Sequence, residues 1–205
     1  MSTSIRRIFL LCVVLEFMGQ AQYAPAQQLV DSIVSTLRAQ QKSGGIVEVA
    51  GCSPAMAEDS QKSDSGSVNS RFDHLAKTNA IKWSETGGVY FIWIPSRAAA
   101  PLMNLRLSAI VVPDGNLDVA SGLIMQNDIF QRELDKSHIR FIDRSLGFSP
   151  LPSERSSSGK TVTIPAGTVA EDLNWLASRY PSTVWLFRQT SCEGKQVVSL
   201  SWLSR

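Results

Sequence analysis

The side chains able to do chemistry in this 205-residue chain are few and widely spaced. The two histidines, His74 and His138, each fall on or near a predicted helix among charged neighbours. A metal site would want several His, Cys or carboxylate ligands at short spacing, and no H-x-x-H, H-E-x-x-H or C-x-x-C occurs. Asp73 adjoins His74, but side chains adjacent in sequence do not share a helical face. The pair therefore reads as solvated surface histidines, and neither a metal nor a cofactor is expected.

Nucleophiles and phosphate cradles fare no better. A catalytic serine would be expected in an elbow such as G-x-S-x-G, which the sequence lacks; its serines cluster in hydrophilic turns. Gly44-Gly45 and Gly87-Gly88 have the spacing of neither nucleotide fingerprint. The acid pairs Glu58-Asp59 and Glu171-Asp172 are neighbours along the chain, whereas glycosidic hydrolysis needs two acids held across a cleft. Glu171 and Asp172 fall in the first turn of a predicted helix after Thr168, where negative charge complements the helix dipole and can help cap it.

Cysteines and aromatics carry the remaining signals. Cys52 is placed at the end of a strand and Cys192 in a turn, positions suited to a staple rather than a nucleophile. In an oxidising compartment their default is one intramolecular disulfide; the alternative is two unpaired buried thiols. Tyr90, Phe91 and Trp93 lie in one predicted hairpin and Trp185, Phe187 and Trp202 in another, and alternation puts Trp83, Trp93, Trp185 and Trp202 at strand positions that can share faces; Tyr90, Trp93, Trp185 and Trp202 are the candidate binding face. Large side chains of this kind fill the space between helix and sheet; a face left open would instead bind protein or peptide.

The compartment follows from the first 26 residues. Arg6 and Arg7 precede an apolar run from Ile8 to Leu15, and a small-residue stretch ends in Ala24, Pro25 and Ala26. That is the order of a secretory signal peptide with an A-x-A site, and eight apolar residues fall far short of the roughly twenty that span a bilayer. Glu16 is an unusual residue so close to the run, and Leu11 before Cys12 argues against a lipid anchor. Cleavage after Ala26 removes Arg6, Arg7 and Glu16, so the 20 basic and 18 acidic residues fall to 18 and 17. Such a balance attracts neither nucleic acid nor anionic lipid, and a hydrophobic share of 43% suits an ordinary globular chain. The expectation is a periplasmic or secreted protein that does not span the membrane after cleavage.

These residues must be positioned by a mixture of helices and strands. Leu29, Ile33, Val34 and Leu37 make one face of a first helix over 28–42, with Gly44 and Gly45 as its stop. A short strand from Ile46 leads into a Ser-, Asp- and Gly-rich loop, and a helix follows over about 69–79 with Phe72, Leu75 and Ala76 inward. IKW and VYFIWIP flank Gly87-Gly88 as a hairpin. LRLSAIVV reads as one strand with Leu105, Leu107, Ala109 and Val111 alternating inward, and about 117–134 as one helix with Val119, Leu123, Ile124 and Phe130 towards the core. IRFI and an exposed loop, SPLPSERSSSGK, precede the last third: strand TVTIP, helix 169–180, strand TVWLFRQT, turn SCEGK and strand QVVSLSWL.

That last third repeats the first. At a shift of 101 residues Val68, Phe72, Leu75 and Ala76 fall on Val169, Leu173, Leu176 and Ala177; at 102, Trp83 falls on Trp185. The expected fold is α+β, two related βαββ modules joined by an additional strand and helix; the plainer alternative is coincidence between two amphipathic helices that precede hairpins. The boundaries are 1–26 for the signal peptide, 27–103 for the first helix and module, 104–158 for the connecting strand, helix and loop, and 159–205 for the second module.

VTIPAGTVAEDLNWLASRYPSTVWLF, and VNSRFDHLAKTNAIKW before it, resemble the short N-terminal domain found in secretins and TonB-dependent receptors. The likeness rests on apolar spacing over about 75 residues. It implies a small βαββ fold used for protein contacts in the bacterial envelope, with no catalytic residues to carry over. The β-barrel that such modules usually precede does not follow here, so neither secretin nor receptor activity is implied. The function expected is a non-catalytic envelope protein that binds a protein partner, as an adaptor or binding module. The alternative is a secreted hydrolase whose site only the fold assembles, with His74, His138 and nearby acids as its candidates.

Overall fold

The computed structural model describes residues 24–51, 67–78, 80–94, 100–113, 117–142 and 161–203. The predicted signal peptide, Cys52 and the loop 149–160 lie wholly or mostly outside these residues. Helix α1 (Ala24–Ala39) buries the stripe Leu29, Val30, Ile33, Val34 and Leu37, the 3.6-residue periodicity of a core-facing helix. The predicted cut after Ala26 falls inside its first turn.

Gly44 and Gly45 do not stop this helix. The chain turns at Gln41, with φ at 53°, and both glycines belong to strand β1 (Ser43–Ala50). Every residue of β1 from Ser43 to Val49 is buried, as a central strand covered on both faces requires. Helix α2 (Val68–Lys77) follows, capped by the Ser67 hydroxyl, which accepts from the Ser70 N–H at 3.3 Å. Strands β2 (Lys82–Thr86) and β3 (Val89–Ile94) then form the expected hairpin. Its two-residue turn, Gly87-Gly88, has φ of 60° and 81°, the left-handed pair that a tight hairpin needs.

The middle third is more broken than its apolar pattern predicts. A 3-10 turn at Pro101–Asn104 leads to two short strands, β4 (Arg106–Leu107) and β5 (Ile110–Val112), where one was expected. Leu107 and Val112 point inward while Val111 is 61% exposed, so the alternation changes phase at the break. The predicted long helix is likewise two, α3 (Leu117–Met125) and α4 (Asp128–Lys136). Asn127 breaks it: its side chain accepts from the Ile129 N–H at 3.0 Å and caps α4. Ile124 and Phe130 are buried as expected, but Val119 is 44% exposed. The remaining elements are β6 (Ile139–Phe141), β7 (Val162–Ile164), β8 (Gly167–Thr168), α5 (Val169–Arg179), β9 (Val184–Cys192) and β10 (Lys195–Leu203). Cys192 therefore ends a strand, and the turn itself is Glu193-Gly194, again with positive φ at both residues.

The result is an α+β fold around a mixed six-stranded sheet of order β2-β3-β1-β9-β10-β6. β3, β1 and β9 run parallel; β2 and β10 run antiparallel to their hairpin partners. Alternation divides the core in two. Ile46, Tyr90, Ile92, Val184 and Leu186 pack under α1 and α2. Val47, Trp185, Phe187 and Val198 pack on the other face, under α3, α4 and α5.

The two expected modules do not form equivalent sheets. β1, β2 and β3 lie together in the main sheet, but β7, the counterpart of β1, pairs only with β5 in a separate two-stranded sheet. α2 and α5 also lie on opposite faces. In the first module β1 lies beside β3, and the corresponding place beside β10 is already taken by β6, from Gln196↔Ile139 to Val198↔Phe141. Segments 27–103 and 159–205 thus share one sheet, and 104–158 supplies its far edge, β6.

Candidate functional site

β2 and β6 are the two edges of the sheet, and β2 is the longer. Its register with β3, Lys82↔Trp93 to Thr86↔Val89 across a two-residue turn, directs the backbone N–H and C=O of Trp83 and Glu85 away from β3. Lys82, Ser84, Glu85 and Thr86 are exposed and only Trp83 is half-buried. The strand is short and carries charge, the usual ways of keeping an edge from pairing indiscriminately.

That edge is held firmly from one side. Phe72 of α2 sits edge-on to both Trp83 and Tyr90, with ring centroids 5.9 and 5.8 Å away, and Trp83 stacks on Tyr90 at 6.0 Å. The Tyr90 hydroxyl donates to Asn69 Oδ1 at 2.7 Å. Burial, with the Glu85 carboxylate beside it in the hairpin, holds that phenol above its ordinary pKa, so it stays a neutral donor. An edge strand fixed this way loses little conformational freedom when another strand is added to it.

The four aromatics expected to make a binding face are divided by the sheet. Tyr90 points towards α1 and α2; Trp93, Trp185 and Trp202 point the other way. Trp185 is wholly buried and Tyr90 is 3% exposed, while Trp93 and Trp202 are half-buried against the core. Trp185 and Trp202 are cross-strand partners, and the Trp185 indole N–H donates to Asn174 Oδ1 at 3.0 Å. Trp185 and Tyr90 are core residues, and alternation within β3 separates Tyr90 from Trp93.

Both histidines lie on the open surface. His74 is on the exposed side of α2; His138 is exposed with φ at 52°, turning the chain from α4 into β6. No group of three His, Cys, Asp or Glu able to hold a metal occurs among the described residues.

The acids Glu171 and Asp172 separate in role. Thr168 caps α5 and Glu171 completes the capping box: the Glu171 N–H donates to the Thr168 hydroxyl at 3.2 Å and the Thr168 N–H to Glu171 Oε2 at 2.7 Å. That backbone donor holds the Glu171 carboxyl below its ordinary pKa. Asp172 caps nothing. It faces the core in the stripe Val169, Leu173, Leu176, is 1% exposed, and neither carboxyl oxygen has a hydrogen-bond partner. Burial first, and the Glu171 charge second, push its pKa up to about 7. The helical spacing of that stripe carried the signal, since position 172 lies between Val169 and Leu176 on one face.

A second buried charge lies at mid-sheet. Glu48 and Arg188 are register partners on β1 and β9, and the Arg188 Nε–H donates to Glu48 Oε2 at 2.6 Å. Comparison with known proteins finds no matching family model, no similar curated protein and no similar solved structure. No helix among the described residues is long and apolar enough to cross a membrane.

Proposed function

We propose that this chain is an exported binding module of the cell envelope, periplasmic or secreted, that takes up an extended segment of a partner protein as an added strand along β2. The observation that carries this reading is the pinned, exposed edge: Trp83 and Glu85 offer outward backbone donors and acceptors from a strand that Phe72 and Tyr90 hold in place. Strand addition draws affinity from main-chain hydrogen bonds and specificity from alternate side chains. The resemblance to the envelope domains of secretins and TonB-dependent receptors supports the same class of work through β1, α2, β2 and β3, the unit whose strands do lie together in one sheet. Export is supported by the arrangement of residues 1–26, and by Cys192, which is not a free thiol. The rival hydrolase reading draws no support from its two histidines, which are both exposed.

The test is photo-crosslinking in the native envelope, from Thr86 on β2 and from Asp135 on the exposed side of α4. A crosslinked protein partner from position 86 alone, abolished by Glu85→Pro, is the expected result. Proline there removes an outward N–H without touching the β2–β3 ladder. Equal crosslinking from both positions, or persistence in the proline variant, overturns strand addition. N-terminal sequencing of the exported protein should begin at Gln27; a start at Met1 or Ser2 overturns the export reading.

A further inference from the structure

We propose that Asp172 is a proton-operated latch on α5: its neutral carboxyl stays packed beneath the helix's first turn, and ionisation drives that turn away from β8 and towards water. The geometry leaves the carboxylate no other course. Its side chain is 1% exposed with both oxygens unpartnered, and Gly167 of β8 lies against it. A Cβ added at Gly167 would stand 2.8 Å from Asp172 Oδ1, so the glycine is what allows the strand to lie so near. The turn is anchored on both sides, by the capping box and by the Val169 N–H, which donates to the Leu105 carbonyl at 3.0 Å.

Among the described residues, the elements packed on α5 bring no cation to this carboxyl. The Pro101–Asn104 turn, β3, β7 and β8 contain no charged residue. Glu48 of β1 and Arg188 of β9 are paired with each other on the opposite face. α3 contributes Asp118, whose side chain lies outside the described residues. On α5 itself Glu171 is of like charge, and Arg106 of β4 acts on Glu171 rather than on Asp172. Burying an isolated carboxylate is so costly that the group gives up its charge or its position. The raised pKa of about 7 places the change near neutrality.

The sign is the reverse of a salt-bridged acid. Folded protein keeps a proton that the unfolded chain releases above the ordinary value of 3.8, so stability falls as pH rises from there to about 7 and is level beyond. The experiment follows thermal unfolding of the full chain between about pH 4 and pH 8.5, wild type beside Asp172→Asn. The melting temperature of the wild type should fall by on the order of 5 °C relative to the variant across that window, with the two curves parallel above it. Curves parallel throughout overturn the latch. Should the variant fail to fold, amide hydrogen exchange of the wild type decides. After correction for intrinsic base catalysis, the amides of 172 and 173 should open more often at high pH while those of β1 do not; equal opening at both pH values overturns the proposal.

Discussion

The indole of Trp185 fills the space that a side chain on Gly45 would need. The two residues are register partners on the parallel strands β9 and β1, and a Cβ built on Gly45 would overlap the ring itself. Neither can give way: Trp185 is wholly buried and its N–H is tied to Asn174, while Gly45 is in the central strand.

Gly45→Ala should therefore destabilise the fold by about 3 kcal/mol or more, the upper end of overpacking costs. Urea unfolding measures it. Trp185→Leu leaves a cavity and is costly alone, but the double variant should cost less than the sum of the two, because the smaller side chain admits the new methyl. Additive costs would show that the two residues do not meet.

The mid-sheet pair makes a different prediction. Arg188→Met should cost roughly 3–5 kcal/mol, because it leaves the Glu48 carboxylate buried without its partner. Glu48→Leu with Arg188→Met should recover most of that loss, since removing both charges leaves no buried carboxylate unpaired. Chemical denaturation of the three proteins checks it, and a double variant no better than Arg188→Met contradicts the account.

Ala50 pairs with Thr190, and Cys52 and Cys192 each stand two residues further along their chains. We expect them to be joined in the exported protein. Non-reducing peptide mapping should recover one linked fragment, and Cys192→Ser should lower stability by up to ~4–5 kcal/mol, the chain-entropy value for a loop of about 140 residues. Recovery of unlinked, alkylated Cys52 would refute the pairing.

How much of this was legible in the sequence depended on how local the physics is. The hairpin turn at Gly87-Gly88 and the cap at Thr168 with Glu171 are decided within four residues, and both are present. Long-range competition was not legible. Nothing in TVTIP says that β6 already occupies the side of β10 it would have used, so a repeat of apolar spacing reads as two equivalent sheets. Gly45 looked like a helix stop because the indole it accommodates lies on a strand far along the chain. The aromatics lie on strands as expected, and the odd spacing of Tyr90 and Trp93 within β3 already places them on opposite sides of the sheet. Asp172 is legible as an acid in a first turn, but its inward direction is set by the core that α5 packs against and not by the capping pattern.

The parallel pairing of β1 with β9 also has a temporal side. Its contacts join residues some 140 positions apart, as Glu48 and Arg188 do, so the central strand gains one of its two neighbours only after the segment 184–192 has been made. Until then β1 presents one unsatisfied edge, and the loop that must close is among the slowest kinds to form. The sheet is therefore completed only after nearly the whole chain has been made.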